Sequence, residues 1–455
     1  MSGSTGPRVA FVGLGYVGLS TAVCLASRGL RVHGIDVDES RVNVIARGTS
    51  PIHEEGLEFL LRAALRKKTL TLGSDYKNVA QSKVIFLTVG TPSRRDGSID
   101  TTYIEAAAKE VGRQLRNSRG YHLVVVKSTV VPGTTEGLVS PVLERESRKE
   151  VGKKIGLASN PEFLHEGTAI RETLHPEAIV IGGVDGKASD TLLELYRSFY
   201  RELPPVIETT PSNAEMMKYA INVGRVTQLS FINTVANLCS RIPGCDYDEV
   251  KEGLLTVARM DQRYLAAGLG FGGSCLGKDS RALAATLRSS GMGDEIVAAA
   301  LKVNEGQVRE ALRLAEQMGG SLAGKRVSVL GLAFKAGTDD IRESVSIALV
   351  RSLVGKVAGV SVYDPVAMGA TKQLLGSQVT YAKSVKACLK DSECCFIATD
   401  WGEFKRLRPG DFGSLMKRPM VVDGRRIYDT ARFLKAGVSI ATIGTGSPRR
   451  ANRDA

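Results

Sequence analysis

The sequence predicts an α/β protein with two Rossmann-like doubly wound domains joined by a long central helix. Three observations carry the prediction. A strand followed by Gly13-Leu14-Gly15-Tyr16-Val17-Gly18 opens the chain, a helical pattern runs from Asn213 to about Arg241, and a second series of alternating strands and helices begins at Gly324. Strands that alternate with helices build parallel sheets with helices on both faces.

The composition is that of a globular protein of several domains. The chain has 455 residues, of which 43% are hydrophobic and 24% charged, so we expect two or three domains. No apolar run approaches the roughly 20 residues of a membrane span, and Met1–Pro7 lacks the apolar segment of a secretion signal. The seven cysteines are scattered and form no CxxC pair. These features favour a cytoplasmic location without a membrane partner.

The chain carries a net charge of +13, but the excess is diffuse and aromatic residues make up only 5%. Because no aromatic stacking platform interleaves with the basic residues, we expect no nucleic-acid partner. A basic enzyme that acts on phosphorylated substrates explains the sign of the charge. The five histidines show no metal-ligand spacing, so we expect no metal.

The first strand, Arg8–Val12, leads through the glycine run into a helix at 19–28, and a second strand follows at 30–37. Glycines in this order let the backbone approach a pyrophosphate at a helix N-terminus, which predicts a dinucleotide site. Asp36 would accept hydrogen bonds from the adenosine ribose and repel a 2′-phosphate, which favours NAD over NADP. Arg41 weakens that discrimination. The alternative is a structural strand–helix–strand unit that binds no ligand.

Three further strands end in polar loops. The strands are predicted at Lys83–Val89, His122–Ser128 and Ile155–Ser159, and their loops are Gly90-Thr91-Pro92, Lys127-Ser128-Thr129 and Asn160-Pro161-Glu162. Because ligands of a doubly wound sheet bind beyond the carboxyl ends of its strands, we expect the three loops to line one crevice. Each loop by itself could be ordinary turn chemistry.

The helical pattern from Asn213 carries Glu215, Lys218 and Asn222 on one face. Lys218 and Asn222 could direct donors at a developing oxyanion. The alternative is a solvated stripe on a core helix. A helix of about 28 residues is longer than is usual in a globular domain, which indicates a connecting or dimer-forming element.

A glycine-rich stretch, Gly270–Asp279, surrounds Cys275. If Ser274 caps a helix, Cys275 lies at its N-terminus, where free N–H groups and the helix dipole favour a thiolate. Asp279 then lies one turn further on the same face. This arrangement predicts a reactive cysteine. The alternative is a buried free cysteine beside a tight turn.

The second alternating series lacks a GxGxxG run. Its strands are predicted at Arg326–Leu332, Val360–Asp364, Glu393–Ala398 and Val421–Asp423, with a helix at Ser344–Lys356. Lys335 and Arg342 lie where an anionic phosphate would bind at a strand end. This half is therefore Rossmann-like but need not hold a dinucleotide.

Six motifs, in order, resemble the UDP-glucose/GDP-mannose dehydrogenase family. They are the glycine run at 13–18, Val89-Gly90-Thr91-Pro92, Lys127-Ser128-Thr129, Asn160-Pro161-Glu162-Phe163-Leu164, Gly-Phe-Gly-Gly-Ser-Cys at 270–275, and Asp423-Gly424-Arg425. The resemblance runs from about Arg8 to Ile443, and His175-Pro176 resembles the UDP-glucose branch. It implies an NAD-binding domain (1–210), a central helical region for dimerisation with the catalytic cysteine (211–322), a UDP-sugar-binding domain (323–444) and a flexible tail (445–455).

The resemblance implies oxidation of the C6 alcohol of UDP-glucose to the carboxylate of UDP-glucuronate, in two hydride transfers to two NAD. Cys275 would form a thiohemiacetal and then a thioester. Lys218 and Asn222 would stabilise the oxyanion. Asp279 would handle protons through a water, and Glu162 would assist thioester hydrolysis.

The resemblance also implies a set of binding residues. Cofactor contacts fall on Gly13, Gly15, Tyr16, Val17, Gly18, Asp36, Arg41, Thr91, Thr129, Glu166, Lys278 and Arg342, with Thr129 also part of the catalytic polar network. Contacts with the nucleotide sugar fall on Glu162, Phe163, Leu164, Lys218, Asn222, Arg259, Tyr264, Phe271, Gly272, Phe334, Lys335 and Arg425. Arg259 matches a family arginine that reaches the neighbouring subunit's site, which implies a homodimer built on the long helix.

The chain departs from the family at Gly277, where proline usually follows Ser-Cys-Leu. Proline would preset φ at the start of the helix, so glycine should loosen that turn. One alternative function is a two-step dehydrogenase for another sugar nucleotide, such as GDP-mannose or a UDP-N-acetylhexosamine. Another is a single-step hydroxyacid dehydrogenase, which would not need Cys275 or the second α/β half. A non-enzymatic alternative, a nucleotide-sensing or RNA-binding protein, depends on charge alone.

Overall fold

The computed structural model describes residues 8–259 and 264–446. Most of the predicted tail at 445–455 lies outside these ranges. The chain forms two compact units, residues 1–221 and 222–455. Each unit is built on its own largely parallel sheet, so the predicted α/β class is confirmed. The predicted domain boundaries stay a prediction.

The first unit is built on an eight-stranded sheet. Its strands are β1 (Arg8–Val12), β2 (Arg31–Ile35), β3 (Leu70–Gly73), β4 (Val84–Leu87), β5 (His122–Val126), β6 (Ile155–Ser159), β7 (Ile179–Gly183) and β8 (Val206–Thr209). They lie in the order β3-β2-β1-β4-β5-β6-β7-β8, and all neighbours are parallel except β6 and β7. The five predicted strands of this half are confirmed, while β3, β7 and β8 were not predicted.

Helices cover both faces of this sheet. They are α1 (Tyr16–Ser27), α2 (Glu39–Ala46), α3 (Leu57–Arg66), α4 (Thr102–Leu115), α5 (Ser140–Ser147), α6 (Ala169–Leu174) and α7 (Gly186–Phe199). Along β1, Val9 and Phe11 enter the core on one face, and Ala10 and Val12 enter the core on the other. This alternation is why a strand buried on both sides is apolar throughout.

The long helix α8 (Pro211–Cys239) has 29 residues, close to the predicted span. Ile232 and Ala236, one turn apart near its C-terminal end, join a buried cluster with Ala311, Val327 and Val329. The end of α8 is therefore part of the core of the second unit, together with a further long helix that the sequence analysis did not predict.

The second unit is built on a six-stranded, fully parallel sheet. Its strands are β9 (Arg326–Leu330), β10 (Gly359–Tyr363), β11 (Thr380–Tyr381), β12 (Cys394–Ile397), β13 (Met420–Asp423) and β14 (Ser439–Thr442). The order is β11-β10-β9-β12-β13-β14. The four predicted strands are confirmed with slightly different ends, and β11 and β14 are additions.

The second unit also contains helices, and one of them begins directly after Cys275. They are α9 (Tyr247–Thr256), α10 (Leu276–Ser289), α11 (Glu295–Gly319), α12 (Val345–Leu353), α13 (Met368–Leu375), α14 (Val385–Leu389), α15 (Gly402–Lys405), α16 (Pro409–Leu415) and α17 (Thr430–Lys435). In both sheets the strand order reverses beside the first strand, between β1 and β4 and between β9 and β12. Ligands of doubly wound folds bind at such a switch point.

Candidate active site

The glycine run forms a tight corner between β1 and α1. Gly13 has a φ of +98°, and a Cβ there would lie 2.8 Å from the carbonyl oxygen of Thr88. A side chain on Gly18 would overlap with Gly13, whereas nothing lies within 4 Å of the Cβ position of Gly15. The corner is therefore packed where strand meets helix and open at the N-terminus of α1, as a pyrophosphate site requires.

Asp36 follows β2 and completes this corner. Its carboxylate accepts hydrogen bonds from the Leu14 amide at 2.8 Å and the Asp38 amide at 3.0 Å. Arg41 approaches it to 3.7 Å, and the Asp36 side chain is 11% exposed. Because a carboxylate offers about four lone-pair sites, Asp36 keeps the capacity to accept ribose hydroxyls.

Tyr16 and Thr91 are bonded within the protein. The Tyr16 hydroxyl pairs with Glu54, and the Gly167 amide donates to both, at 2.7 Å each. Burial, reinforced by Glu54, raises the pKa of Tyr16 well above its ordinary value. Thr91 donates to the carbonyl oxygen of Thr129 at 2.8 Å, which joins two of the predicted loops. Glu54 is an additional site residue that no motif in the sequence indicated.

Glu162 lies beside a buried lysine of α8. The Lys218 ammonium donates to the backbone oxygen of Glu162 at 2.5 Å and to its Oε1 at 3.1 Å. The Leu164 amide donates to the other carboxylate oxygen at 2.6 Å. In the same region the Lys127 ammonium donates to Oδ1 of Asn160 at 3.0 Å. This last contact joins the loops after β5 and β6, so the three loops are in contact with one another. The crevice that they are expected to line stays a prediction.

The charges in this cluster determine which groups are ionised. Burial disfavours the Glu162 carboxylate, but Lys218, the Leu164 amide and Lys127 outweigh burial and hold the pKa of Glu162 below its ordinary value. Burial lowers the pKa of Lys127 to about 8, an effect that Glu162 opposes and Lys218 reinforces. Glu162 is therefore ionised at neutral pH, as a base that activates water must be.

The polar face of α8 is buried, so the alternative of a solvated stripe is wrong. Glu215 accepts hydrogen bonds from the Gly133 amide at 2.6 Å, the Thr135 amide at 2.9 Å and the Thr135 hydroxyl at 2.5 Å. Burial raises the pKa of Glu215 despite these donors. Glu215 thus anchors the chain after β5, and Lys218, three residues later, anchors the chain after β6.

Cys275 is the one exposed cysteine of the seven, all of which lie in the described ranges. The alternative of a buried free cysteine is therefore wrong. Cys275, and not Ser274, is the N-cap of α10. The helix starts one residue later than predicted because Gly273, with a φ of +86°, still belongs to the preceding turn. The first helical bond runs from the Asp279 amide to the Cys275 carbonyl oxygen at 2.8 Å.

Asp279 is held by two donors in the second unit. Asn222 donates to its Oδ2 at 2.7 Å and Lys278 donates to its Oδ1 at 2.6 Å, and only 1% of Asp279 is exposed. Asn222 lies one turn after Lys218 on α8, yet the two have different partners. Lys218 holds Glu162, whereas Asn222 holds Asp279.

Amide side chains hold the segment that leads to Cys275. The Gly268 amide donates to Asn233 at 2.9 Å, and Gln307 donates to the Gly268 carbonyl oxygen at 2.6 Å. Asn304 bonds both backbone groups of Phe271, accepting at 2.8 Å and donating at 2.9 Å. Two of these three amides lie on α11, so the sequence analysis, which did not predict that helix, missed them.

Gly277 leaves space that the Glu343 carboxylate occupies. A Cβ at position 277 would overlap with that carboxylate, which pairs with Arg281 one turn further along α10. The Gly273 amide also donates to the Arg342 carbonyl oxygen at 2.9 Å. The segment before α12 therefore packs on the first turn of the cysteine helix, at the turn that the sequence analysis expects to be loose.

Arg425 joins three segments at the carboxyl end of the second sheet. Its guanidinium donates to the carbonyl oxygens of Ala398 at 2.7 Å, Gly270 at 3.1 Å and Phe334 at 3.5 Å. Burial lowers the pKa of Arg425. The Lys335 ammonium lies 5.7 Å from the centre of the Phe334 ring, so the predicted nucleotide contacts Phe334, Lys335 and Arg425 lie together.

Other predicted contact residues have partners of their own. Arg342 forms an ion pair with Asp340 at 2.6 Å. Arg225 lies 4.9 Å from the centre of the Tyr264 ring. Arg259 has a φ of +52° and adjoins residues 260–263, which lie outside the described ranges. Their roles in binding stay predictions.

Three family models match successive stretches of the chain. All are described as UDP-glucose/GDP-mannose dehydrogenase family, with the NAD binding domain at 7–200, the central domain at 212–306 and the UDP binding domain at 328–430. The chain belongs to the UDP-glucose/GDP-mannose dehydrogenase family. Its cofactor is NAD, and it is an oxidoreductase that acts on a CH–OH group. The open helix N-terminus at Gly15 and the acceptor capacity of Asp36 fit that cofactor.

Named relatives cover nearly the whole chain. UDP-glucose 6-dehydrogenase TuaD of Bacillus subtilis is 37% identical over 443 residues, 97% of this chain and 94% of that protein. UDP-glucose 6-dehydrogenase AglM of Haloferax volcanii is 40% identical over 422 residues, 92% of this chain and 97% of that protein. The structure of a UDP-glucose dehydrogenase from Pyrobaculum islandicum matches with a TM-score of 0.89 and 40% identity, over 98% of this chain and 99% of that one.

Two further findings concern residues 8–259 and 264–446. In these ranges no group of three or more His, Cys, Asp or Glu side chains is placed to hold a metal ion. None of the helices there combines the length and apolar character that crossing a membrane would take.

Proposed function

We propose that this family member oxidises the C6 alcohol of UDP-glucose to the carboxylate of UDP-glucuronate in two hydride transfers. The observation that carries the proposal is the exposed Cys275 at the N-terminus of α10, one turn before the buried Asp279. A single-step dehydrogenase needs no such thiol. The UDP binding domain and the relatives named UDP-glucose 6-dehydrogenase support UDP-glucose as the substrate.

The first oxidation removes a hydride from C6 and a proton from its hydroxyl, which gives an aldehyde. Bound NAD supplies the hydride acceptor for this step and for the second oxidation. Asp279 would take the hydroxyl proton through a water. The hydrogen bonds from Asn222 and Lys278 support this role because they fix the carboxylate in one orientation.

Cys275 then acts as the nucleophile. Its thiolate adds to the aldehyde carbon, a C–S bond forms, and the carbonyl electron pair becomes an oxyanion that is protonated to the thiohemiacetal. Donors on Lys218 and Asn222 would stabilise this oxyanion. Loss of the hydroxyl proton and of the second hydride from C6 leaves a thioester on Cys275.

Hydrolysis of the thioester completes the reaction. Water adds to the thioester carbon, the C–S bond breaks, and the thiolate of Cys275 leaves as the carboxylate forms. Glu162 would take the proton from the attacking water. This role is supported by the ionised state of Glu162 beside Lys218.

A panel of sugar nucleotides tests the substrate. UDP-glucose, GDP-mannose and UDP-N-acetylhexosamines are each supplied with NAD, and NADH formation is followed by absorbance. UDP-glucose should give the highest kcat/KM. A higher value with GDP-mannose or a UDP-N-acetylhexosamine would replace UDP-glucose with that sugar, and oxidation of a simple hydroxyacid alone would replace the two-step reaction.

The role of Cys275 is tested with matched serine variants. Cys275→Ser should abolish complete turnover and leave NAD affinity unchanged, because the serine hydroxyl is a much weaker nucleophile than a thiolate and has no sulfur with which to form the thioester. Cys245→Ser, at a second cysteine that is not fully buried, serves as the control and should keep wild-type turnover. Wild-type rates in Cys275→Ser would end the proposal for this residue.

We also propose a homodimer formed along α8. Ile221, Phe231 and Leu238 are 39%, 55% and 57% exposed, and their spacing of ten and seven residues matches a and d positions of a heptad. A second copy of the same helix would bury this apolar stripe. Phe231→Glu should give monomers in sedimentation, whereas Phe59→Glu, an exposed phenylalanine on α3, should leave the assembly unchanged. Monomeric wild-type protein would contradict the dimer.

A cytoplasmic location is part of the proposal. All seven cysteines are free. This state is typical of a reducing compartment. Fractionation of the producing cells should recover the protein with the cytoplasmic fraction, and recovery outside the cell would contradict the location.

A further inference from the structure

Two buried lysines hold one short turn in the same manner. Lys218 donates to the backbone oxygen and to the carboxylate of Glu162, at 2.5 and 3.1 Å. Lys127 donates to the side-chain oxygen and to the backbone oxygen of Asn160, at 3.0 and 3.4 Å. Each ammonium thus bonds the backbone oxygen and one side-chain oxygen of a single residue, and the two residues are separated only by Pro161. The sequence analysis assigned a role to Lys218 but not to Lys127.

Asn160 is fixed on every side by these and other bonds. Its amide nitrogen donates to the Val180 carbonyl oxygen at 2.7 Å, and the Tyr196 hydroxyl donates to its Oδ1 at 2.5 Å. Its backbone amide donates to the Val126 carbonyl oxygen at 2.8 Å. Lys127 is the residue that follows Val126, so its ammonium ties the end of β5 to the turn that carries the proposed base.

We infer that Lys127 is a positioning residue for thioester hydrolysis, which holds the Asn160–Glu162 turn and provides the second positive charge that keeps Glu162 ionised. The inference rests on the proposed function. It assigns Lys127 no contact with substrate or cofactor. Its effect on the reaction passes through Asn160 and Glu162.

The burial of Lys127 supports a role for its charge. Lys127, Glu162 and Lys218 are all buried, and the Glu162 carboxylate interacts electrostatically with both ammonium groups. An ammonium is costly to bury, and a neutral side chain could bond Asn160 at lower cost. The charged groups that act on Lys127 are Glu162, which stabilises the ammonium, and Lys218, which disfavours it. The Tyr196 hydroxyl, which is neutral, donates to the same Asn160 oxygen as the Lys127 ammonium.

The chain offers a matched control for Lys127. The Lys149 ammonium also donates to two oxygens, the backbone carbonyls of Leu115 and Ser118, at the C-terminal end of α4. It therefore has the same kind of tethering role, but near the N-terminal end of β5, whereas Lys127 follows the C-terminal end of that strand. If the loss of a tether were the only effect of substitution, variants at Lys127 and at Lys149 should change the reaction in a similar way.

The experiment compares Lys127→Gln, Lys127→Met and Lys149→Met in single-turnover reactions with UDP-glucose and NAD. NADH formation is followed by stopped flow, and acid-quenched samples are analysed by mass spectrometry for the adduct on Cys275. Both Lys127 variants should form NADH within about threefold of the wild-type rate, slow hydrolysis by at least about tenfold and accumulate the adduct, since a general base contributes about 10² to 10⁴. Lys149→Met should form the adduct only transiently, at the wild-type level.

Lys127→Arg provides the rescue. It keeps the positive charge and should recover more of the hydrolysis rate than Lys127→Gln, which keeps only hydrogen-bonding capacity. Equal loss of NADH formation and hydrolysis in the Lys127 variants, or no adduct in them, would overturn the inference. If Lys127→Met does not fold, Lys127→Gln decides the outcome by the same criteria. A wild-type protein that forms no Cys275 adduct at any time would refute the proposed function itself.

Discussion

The two sheets build the same corner and use it differently. Gly13 and Gly331 follow the first strand of each sheet with φ values of +98° and +99°. Their amides donate to the last residue of the neighbouring strand, at 2.7 Å in the first unit and 2.8 Å in the second. Thr88 and Thr399 then lie against these glycines, each in the position where a Cβ would go. The correspondence is one of backbone geometry, since the second turn lacks the GxGxxG run.

The difference lies in the aspartate that follows the second strand. Asp36 accepts two backbone amides and stays partly exposed. Asp364 is 1% exposed and is surrounded by donors. These are the amides of Leu332, Ala333, Val366 and Ala367 and the indole N–H of Trp401. An aspartate in this position can bind a ribose only if donors of the protein do not already occupy its oxygens. Nucleotide contacts in the second half must therefore come from other residues, such as the predicted Phe334 and Lys335.

Asp364→Ala should give the largest effect on stability. It removes the acceptor for five donors in the second unit, and a buried donor left without a partner costs about 1–3 kcal/mol. We expect the free energy of unfolding to fall by roughly 3–5 kcal/mol in urea denaturation, given partial repair by water. The affinity of the remaining folded protein for NAD should not change. A loss below about 1 kcal/mol would contradict the role of Asp364 as the shared acceptor of these five donors.

Asp36→Ala should give the opposite result. Hydrogen bonds to a charged group contribute about 1.5–3 kcal/mol, so NAD affinity measured by calorimetry should fall by about 10- to 100-fold. Stability should change little because the carboxylate is partly exposed. Unchanged NAD affinity in this variant would break the comparison between the two corners.

Lys127 in the first half and Arg425 in the second half should respond differently to pH. The pKa of Lys127 is lowered to about 8 by burial, whereas the Arg425 guanidinium stays charged although burial lowers its pKa. Between pH 8 and the ordinary lysine pKa of about 10.4, the unfolded chain binds a proton that folded Lys127 does not, so stability rises with pH, by at most about 1.4 kcal/mol per unit. In urea denaturation at several pH values, Lys127→Met should lack this rise. If stability rises equally with pH in Lys127→Met, groups other than Lys127 cause the rise.

Gly277→Ala, in the first turn of α10, should have the smallest effect. The added Cβ meets the flexible ends of Glu343 and Arg281, which can rotate away at the loss of their partly exposed ion pair. Such pairs contribute about 0–1 kcal/mol, and alanine is favoured over glycine in helices by up to about 1 kcal/mol. Thermal unfolding should therefore shift by only a few degrees. A large loss of stability would show that Glu343 cannot move.

The sequence was sufficient for elements with strong local signals. The glycine run, the strand ends with polar loops and the length of α8 were all predicted close to their observed bounds. The second long helix, α11, was not predicted, and neither were the roles of its Asn304 and Gln307, whose bonding partners lie 33 and 39 residues away in the sequence. The N-cap at Cys275 was displaced by one residue because the positive φ of Gly273 extends the preceding turn.

The site itself was predicted less completely than the fold. Lys127, Asn160 and Glu343 act through partners that lie far from them in the sequence, so no local pattern indicates their contacts. The burial of Lys218 was equally hidden, since a lysine on a helix is usually solvated. What the sequence did identify, the cysteine with its neighbouring Asp279, depends on short spacings within one helix turn.

The central claim is a two-step oxidation through Cys275, and the ratio of NADH formed to UDP-glucose consumed tests it most directly. A limiting amount of UDP-glucose is converted to completion with excess NAD, and the product is identified by mass spectrometry. The proposed function predicts two NADH for each UDP-glucose, with UDP-glucuronate as the product. A ratio of one, with an aldehyde or a ketone as the product, would contradict the thioester and with it the role of Cys275.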